Sequence, residues 1–321
     1  MFVLQGNATI GKYKFHSVND VEITKSVEEM ADTAVIKMPT RFKVRENNTQ
    51  LFTEEAIKVG DKVIITLGYK EKYTGVEFVG YVKKISPKIP LEIHCEDAMW
   101  LLRRNNIKKS FGATTLKAIL TEIVKGTTVE LADNIPSIKI DKWIIPNKSG
   151  AQALEDLKAK FAFSIFINDA GKLYCGLEEV NNVGQSVVYD LNYNLVENNL
   201  EFRSADDRRI KIKYTYIGKD NKKKSYEFGD PDGELRTFHT SVISGEKELK
   251  ELAQSQLEKL KYNGFDGDVT SFLIPFATRG MKAIIRDKKH PNREGSYFIK
   301  KVVTTFGMNG ARRKVTISHR L

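Results

Sequence analysis

The chain has 321 residues, 41% of them hydrophobic and 29% charged, with a formal net charge of +11. That balance describes a folded protein of two or three units, each long enough to bury a core, and excludes an intrinsically disordered chain. No apolar run approaches the roughly 18 residues that span a bilayer and the opening residues lack the basic stretch of a secretory signal, so synthesis in a cytoplasm without export is the expectation.

Residues 1–98 read as a first small β-barrel. Ala34, Ile36 and Met38 share one face of an alternating run, and Val63, Ile65 and Leu67 repeat the pattern. Gly80, inside a strand expected over 76–85, suggests a bulge or a sharp bend. Cys95 alternates with Leu91 and Ile93, as a buried thiol does. With Cys175 as the only other cysteine, the chain has neither a disulfide framework nor a zinc site.

The period changes over 99–195, which reads as an α+β middle domain. Ala113-Thr114 opens a helix whose buried stripe is Leu116, Ile119, Leu120 and Ile123, with Gly126 as its stop. A second helix starts at Ser149, where Gln152 completes a capping box, and its stripe is Leu154, Leu157 and Phe161. Strands over 164–168 and 172–176 flank Asp169-Ala170-Gly171, a hairpin signal. Residues 196–321 return to β and read as a second barrel. Within it Ile210, Ile212, Tyr214 and Tyr216 alternate with Lys211, Lys213 and Thr215, and a helical insert falls at about 241–265. The expected fold is mainly β: two similar small β-barrels flanking an α+β domain, with the helical insert in the second.

The similarity of the two ends is the strongest signal. Gly60-Asp61-Lys62-Val63-Ile64-Ile65 is echoed by Gly280-Met281-Lys282-Ala283-Ile284-Ile285, and Gly75 and Gly295 follow at the same distance. Val82-Lys83-Lys84-Ile85 matches Ile299-Lys300-Lys301-Val302. Leu91-Glu92-Ile93-His94 matches Val315-Thr316-Ile317-Ser318, an offset of 224. Such drift in offset is what loop insertions produce in a divergent duplication. In each copy one lysine of the pair points to each side of the strand, so Lys83, Lys84, Lys300 and Lys301 are candidates for a subunit interface or a lumen, with a solvated strand end as the alternative.

Chemical motifs are weak. Gly6-Asn7-Ala8-Thr9-Ile10-Gly11-Lys12 matches the start of a P-loop, yet Tyr13 stands where magnesium needs Ser or Thr, and no helix follows. Asp230-Pro231-Asp232-Gly233 lacks the later ligands of a calcium loop and reads as a turn. Glu155-Asp156, Glu178-Glu179 and Asp206-Asp207 are adjacent and so diverge, unlike two carboxylates facing across a cleft. The five histidines have no metal-binding spacing, and His94 and Glu96 share a strand face that reads as exposed and polar. No enzyme activity, cofactor or metal is expected. The densest basic run, Lys222-Lys223-Lys224, reads as a hairpin loop.

The order of these patterns resembles the hub proteins of phage tail baseplates, the tail-hub and late-control-protein group shared with contractile injection systems. The carriers are Val59-Gly60-Asp61-Lys62-Val63, Phe78-Val79-Gly80-Tyr81-Val82 and Ile93-His94-Cys95-Glu96-Asp97 in the first barrel. Ala153-Leu154-Glu155-Asp156-Leu157 with Gly171-Lys172-Leu173-Tyr174 supports the middle domain, and Phe272-Leu273-Ile274-Pro275 with Tyr297-Phe298-Ile299-Lys300-Lys301-Val302 the second barrel. The resemblance implies a homotrimer whose six barrels form a ring between a six-fold tail tube protein and a three-fold central spike or tail-tip protein. It implies contacts with other baseplate proteins and passage of the genome through the lumen without specific binding. It also implies a place in the virion tail after assembly in a host bacterial cytoplasm, without membrane contact. Ending near the second barrel, the chain is expected to leave piercing or wall-degrading activity to a separate protein. Two other readings stay open: a nucleic-acid-binding protein built on OB-like barrels, and a tail-associated cell-wall hydrolase.

Overall fold

The computed structural model describes residues 3–44, 49–161, 163–176, 185–217, 223–240, 250, 253–254, 256–258 and 260–321. Chain order begins with β1 (Leu4–Ile10), β2 (Tyr13–Phe15), β3 (Asp20–Ser26), β4 (Thr33–Met38), β5 (Arg41–Lys43) and β6 (Gln50–Phe52). A one-turn helix α1 (Thr53–Ala56) leads to β7 (Lys62–Tyr69), β8 (Tyr73–Ser86) and β9 (Leu91–Glu96). The alternation seen in the sequence sets the pleat: Ala34, Ile36, Met38, Val63, Ile65 and Leu67 are all buried in one apolar cluster with Ile10, Ile93 and Cys95. Gly80 sits in regular register opposite Val63. A Cβ there would lie 2.3 Å from the carbonyl oxygen of Glu96, so this glycine allows a close backbone approach and marks no bulge.

The next residues form α2 (Met99–Leu102), β10 (Asn106–Phe111), β11 (Thr114–Thr115), α3 (Leu116–Val124), β12 (Lys139–Ile140), β13 (Trp143–Ser149), α4 (Gly150–Phe161), β14 (Ser164–Ile167) and β15 (Leu173–Gly176). Both expected helices are present. Thr115 caps α3 through its side chain. Ser149 and Gln152 make the reciprocal capping box, with each backbone N–H donating to the other's side-chain oxygen. The faces Leu116, Ile119, Leu120 and Ile123 of α3 and Leu154 and Leu157 of α4 meet in a second cluster with Trp143 and Ile165.

The chain continues through β16 (Ser186–Asp190), β17 (Glu197–Arg203), β18 (Ile210–Ile217), β19 (Lys223–Gly229), β20 (Glu234–Thr240), β21 (Gly264–Ser271), β22 (Lys282–Arg286), β23 (Gly295–Gly307) and β24 (Gly310–Arg320). Its core holds Tyr189, Val269, Ile285, Ile299, Val315 and Ile317. β16 follows the middle segment in sequence but pairs in parallel with β22.

Two differences from the sequence reading concern this half. β18 belongs to a separate three-stranded sheet, order β19-β18-β20, that lies between β17 and β21 in the chain. Its alternation is real, but it buries Ile212 and Tyr214 against Ala253, Leu257 and Leu260 and not in the barrel core. Local period reports that a strand has a wet and a dry face; it does not report which core the dry face joins. Of the expected helix, residues 250, 253, 254, 256–258 and 260 are helical. Residues 261–265 are not helical, since Gly264 already opens β21, and the other positions of the insert lie outside the described residues, as do Glu178, Glu179 and 218–222. Lys223 and Lys224, read as part of a loop, are the first residues of β19.

The duplication is visible in strand order. The first lobe runs β3-β4-β9-β8-β7-β1 and the second β17-β21-β24-β23-β22-β16. It is visible in hydrogen bonds too. Gly60 N–H donates to Val82 O at 2.8 Å and Val82 N–H to Asp61 O at 2.9 Å; Gly280 N–H donates to Ile299 O at 2.8 Å and Ile299 N–H to Met281 O at 2.9 Å. Gly60 and Gly280 both have positive φ, 95° and 80°. One offset needs correcting. Val82 faces Cys95 and its counterpart Ile299 faces Ile317, so the last strands are related by 222 positions and not 224.

Candidate assembly interface

The two lobes are not separate sheets. β23 is long enough to serve both: Gly295–Phe298 pairs with β22, while Lys301–Phe306 pairs with Ser26–Val21 of β3. The result is one 13-stranded sheet across the molecule. Val27 N–H donates to Lys300 O at 3.0 Å at one end of this junction. At the other end Phe306, 5% exposed, packs so closely on Gly6 and Val18 that a Cβ on Gly6 would lie 2.8 Å from its ring.

The four lysines singled out in the sequence occupy equivalent places. Pairing of β8 with β9 skips a residue between Val82 and Lys84, and pairing of β23 with β24 skips one between Ile299 and Lys301. Lys83 and Lys300 are therefore the extra residues of two matching β-bulges, which re-aim a side chain. Lys83 reaches the fully buried Glu96 at 3.0 Å, which Arg103 also contacts at 2.6 Å. Glu96 keeps the strand face it shares with His94, as the sequence implies, but it is buried there beneath Lys83 and Arg103 and not exposed. Lys300 lies 3.6 Å from Glu28. Lys301 stands opposite Ser26 inside the lobe junction. Its counterpart Lys84 is exposed at the edge of β8.

Two buried ionic clusters hold the units together, and sequence reasoning missed both. Arg313 of β24 makes a bidentate pair with Glu77 of β8 at 2.7 and 3.1 Å, with each side chain 2% exposed. Arg313 also donates to Ala277 O and Thr304 Oγ1, and Tyr73 donates its hydroxyl to Glu77 at 2.8 Å. Burial first, and then the Glu77 carboxylate, holds the Tyr73 phenol well above its usual range, so it remains a donor. Glu77 is itself a bulged residue, skipped between Phe78 and Val76 in the pairing with β7. The bulge turns it out of the alternation that would otherwise predict its face. Nearby, Tyr69 donates to Ala311 O and accepts Leu273 N–H, each at 3.2 Å, joining first lobe to second.

The second cluster lies where all three units meet. Arg279, before β22, contacts Asp32 of the first lobe at 2.9 Å and Asp169 of the middle segment at 3.1 Å, and donates to Ile167 O. Lys25 reaches Asp169 at 2.7 Å. Asp97 accepts Asp32 N–H and Met99 N–H. Burial pushes the Asp32 carboxyl up to about 6 despite the attraction of Arg279 and Lys25. Burial, and then the neighbouring Asp32, raises Asp97 well above the carboxylate range. Asp169 is penalised by burial too, yet Lys25 and Arg279 hold it far below. In the sequence these residues are scattered from 25 to 279, and no local pattern connects them.

The remaining motifs are structural. Gly11, with φ of 55°, turns the β1–β2 hairpin, so the P-loop-like run is a glycine-punctuated hairpin. Asp230 accepts Ile210 N–H and pairs with Lys261 at 2.7 Å beside its turn. Among the described residues no group of three or more His, Cys, Asp or Glu is arranged to hold a metal ion. Tyr214 is buried and stacked on Phe238 at 5.2 Å, so it offers no open ring to a base.

This fold is shared with solved prophage tail proteins and with a type VI secretion component. The 43 kDa tail protein of prophage MuSo2 from Shewanella oneidensis matches at a TM-score of 0.67 and 14% identity over 99% of this chain and 98% of that one. A tail protein from Neisseria meningitidis matches at 0.68 and 14%, over 99% and 97%. The Escherichia coli c3393 protein, a component of the type VI secretion system with structural similarity to T4 bacteriophage tail proteins, matches at 0.57 and 9%, over 97% and 74%. No family model and no curated protein matches the sequence.

Proposed function

We propose that this chain is a structural component of a phage tail or a phage-tail-like injection particle, the baseplate or tail-tip hub. Three copies contribute six similar lobes to one ring. Such a ring presents quasi-six-fold symmetry to the tail tube protein and true three-fold symmetry to a central spike or tail-tip protein. Other baseplate proteins dock on its outside, and the genome or cargo passes through the centre without specific recognition. Its place is the virion tail, after assembly in the host cytoplasm, and its role is geometric and not catalytic.

The observation that supports this reading is the lobe of strands repeated in the same order, five of them in the same directions and the sixth reversed (β1 antiparallel to β7, β16 parallel to β22), with the same paired bulges and the same glycine-anchored hydrogen bonds. A chain with two equivalent lobes can match six-fold and three-fold neighbours at once. Closure into a ring also covers the sheet edges that a single copy exposes. Light scattering of the purified protein at several concentrations tests it. A mass of three times 36.5 kDa is expected; a fixed dimer or tetramer overturns the three-fold reading.

A further inference from the structure

The internal junction between the lobes is a template for a second junction that a single copy leaves open. Within the chain, the first strand of lobe one, β3, pairs with the far half of β23 in lobe two. The equivalent strands with roles exchanged are β17 and the far half of β8. Among the described residues β17 has β21 as its only strand partner. Beyond Val82, where Asp61 covers β8, Lys84–Ser86 pairs with β9 alone. These two edges lie at opposite ends of the continuous sheet, so one copy cannot bring them together.

We infer that β17 of one copy pairs antiparallel with the Lys84–Ser86 edge of β8 in the next copy. The inference rests on the ring reading and supplies its interface. The register follows from the paired strands. Relating Cys95 to Ile317 makes Ile23 equivalent to Leu200, and relating Val82 to Ile299 makes Lys84 equivalent to Lys301. As Lys301 faces Ser26 inside the chain, Lys84 faces Arg203 of the next copy, Ile85 faces Phe202 and Ser86 faces Glu201.

Exposed apolar side chains flank both edges. In the internal junction Phe306, opposite Val21, is the plug. β8 ends at Ser86, where Lys88 N–H turns back to Ser86 O, so Ile89 lies in the turn just beyond the proposed edge; it is 93% exposed in a single copy, and Tyr193, shortly before β17, is 87% exposed. A second copy docked along these edges covers both. Lys84 stands directly opposite Arg203, a like-charge pair unfavourable by itself, and Glu201, diagonal to Lys84 and 2.8 Å from Arg203, is the acid that neutralises the two cations. Pro87, standing where the internal ladder has Thr304, has no N–H to give. The ladder therefore stops at Ile85. The lysine of the twin pair thus has one role twice, Lys301 inside the chain and Lys84 between chains.

Disulfide trapping tests this. The paired variant Lys84→Cys with Arg203→Cys places thiols at a non-hydrogen-bonded position, where side chains are close enough to bridge. Both sites are exposed, so folding is retained. Oxidation is expected to give a covalent series ending at three chains, and a mixture of the two single variants only a dimer. The off-register pair Lys84→Cys with Asn199→Cys, displaced by about 13 Å, is expected to give neither. Ile89→Asp is expected to reduce the trimer mass to that of one chain. Trimer mass with no in-register cross-link sinks this interface and spares the ring. A cross-linked ladder running past three chains supports the interface and sinks the three-fold ring. Single-chain mass with no cross-link sinks both.

Discussion

Replacing Glu77 with Gln isolates the electrostatic part of the contact between lobes. The amide keeps the shape of the carboxylate, but the Arg313 guanidinium, 2% exposed, loses its only ionic partner in the cluster. Burial alone would lower the pKa of Arg313; the Glu77 charge is the main force holding it up. A buried charge left unpaired costs about 3–5 kcal/mol, whereas replacing both partners by apolar groups of similar volume is often near neutral. At a slope of about 2–3 kcal/mol/M, that loss moves a urea midpoint down by roughly 1–2 M. Urea denaturation of Glu77→Gln, Arg313→Met and the double variant makes the cycle. The double variant is expected to be more stable than Glu77→Gln alone. A midpoint within 0.3 M or so of the wild type for Glu77→Gln, or a double variant whose loss equals the sum of the singles, refutes the claim that this pair couples the lobes.

Other consequences follow from the same geometry. Asp32 has a folded pKa of about 6, above its unfolded value of 3.8, so the folded state binds this proton more tightly. Its effect on stability becomes more favourable as pH falls from above 6 towards 4, opposite to an ion-paired acid such as Asp169. Asp32→Asn is expected to flatten that rise, measured as urea midpoints of variant and wild type across the window; parallel pH curves contradict it. Gly80→Ala drives a Cβ into the Glu96 carbonyl and the Phe78 ring and is expected to destabilise by about 1–3 kcal/mol or more; an unchanged melting temperature contradicts the close approach. Ser149→Ala removes half of the capping box and is expected to cost about 1 kcal/mol, read from chemical denaturation. Burial pushes both Cys95 and Cys175 up to about 12, so a thiol reagent at pH 8 is expected to label neither until the protein unfolds.

What the sequence made legible was whatever depends on near neighbours. Alternation fixed the buried faces of β4 and β7, and the Ser149–Gln152 spacing located the start of α4. The twin motifs around Gly60 and Gly280 exposed the duplication because turn glycines and strand patterns survive divergence together. Bulges were illegible, since one extra residue reverses parity without a marker in composition. That is why Glu77 reads as an unremarkable acid; Glu96 keeps the face of His94, and its burial there comes from Arg103 and Lys83, which no local pattern announces. The assignment of β18 failed for a related reason: its apolar face is correct, but which core it meets depends on contacts with residues more than forty positions away. The lysine pairs were visible as a repeat, while their roles required knowing that β23 extends past β22 to reach β3.

The central claim is that two equivalent lobes per chain close into a three-fold ring. Electron micrographs of the purified particle viewed down its axis test it most directly. The account predicts a closed ring of six similar lobes with strong six-fold and three-fold rotational power, the three-fold part arising because the middle α+β unit and the β18–β20 insert each occur once per chain. Isolated two-lobed particles at all concentrations, or rings with a lobe count other than six, would contradict it.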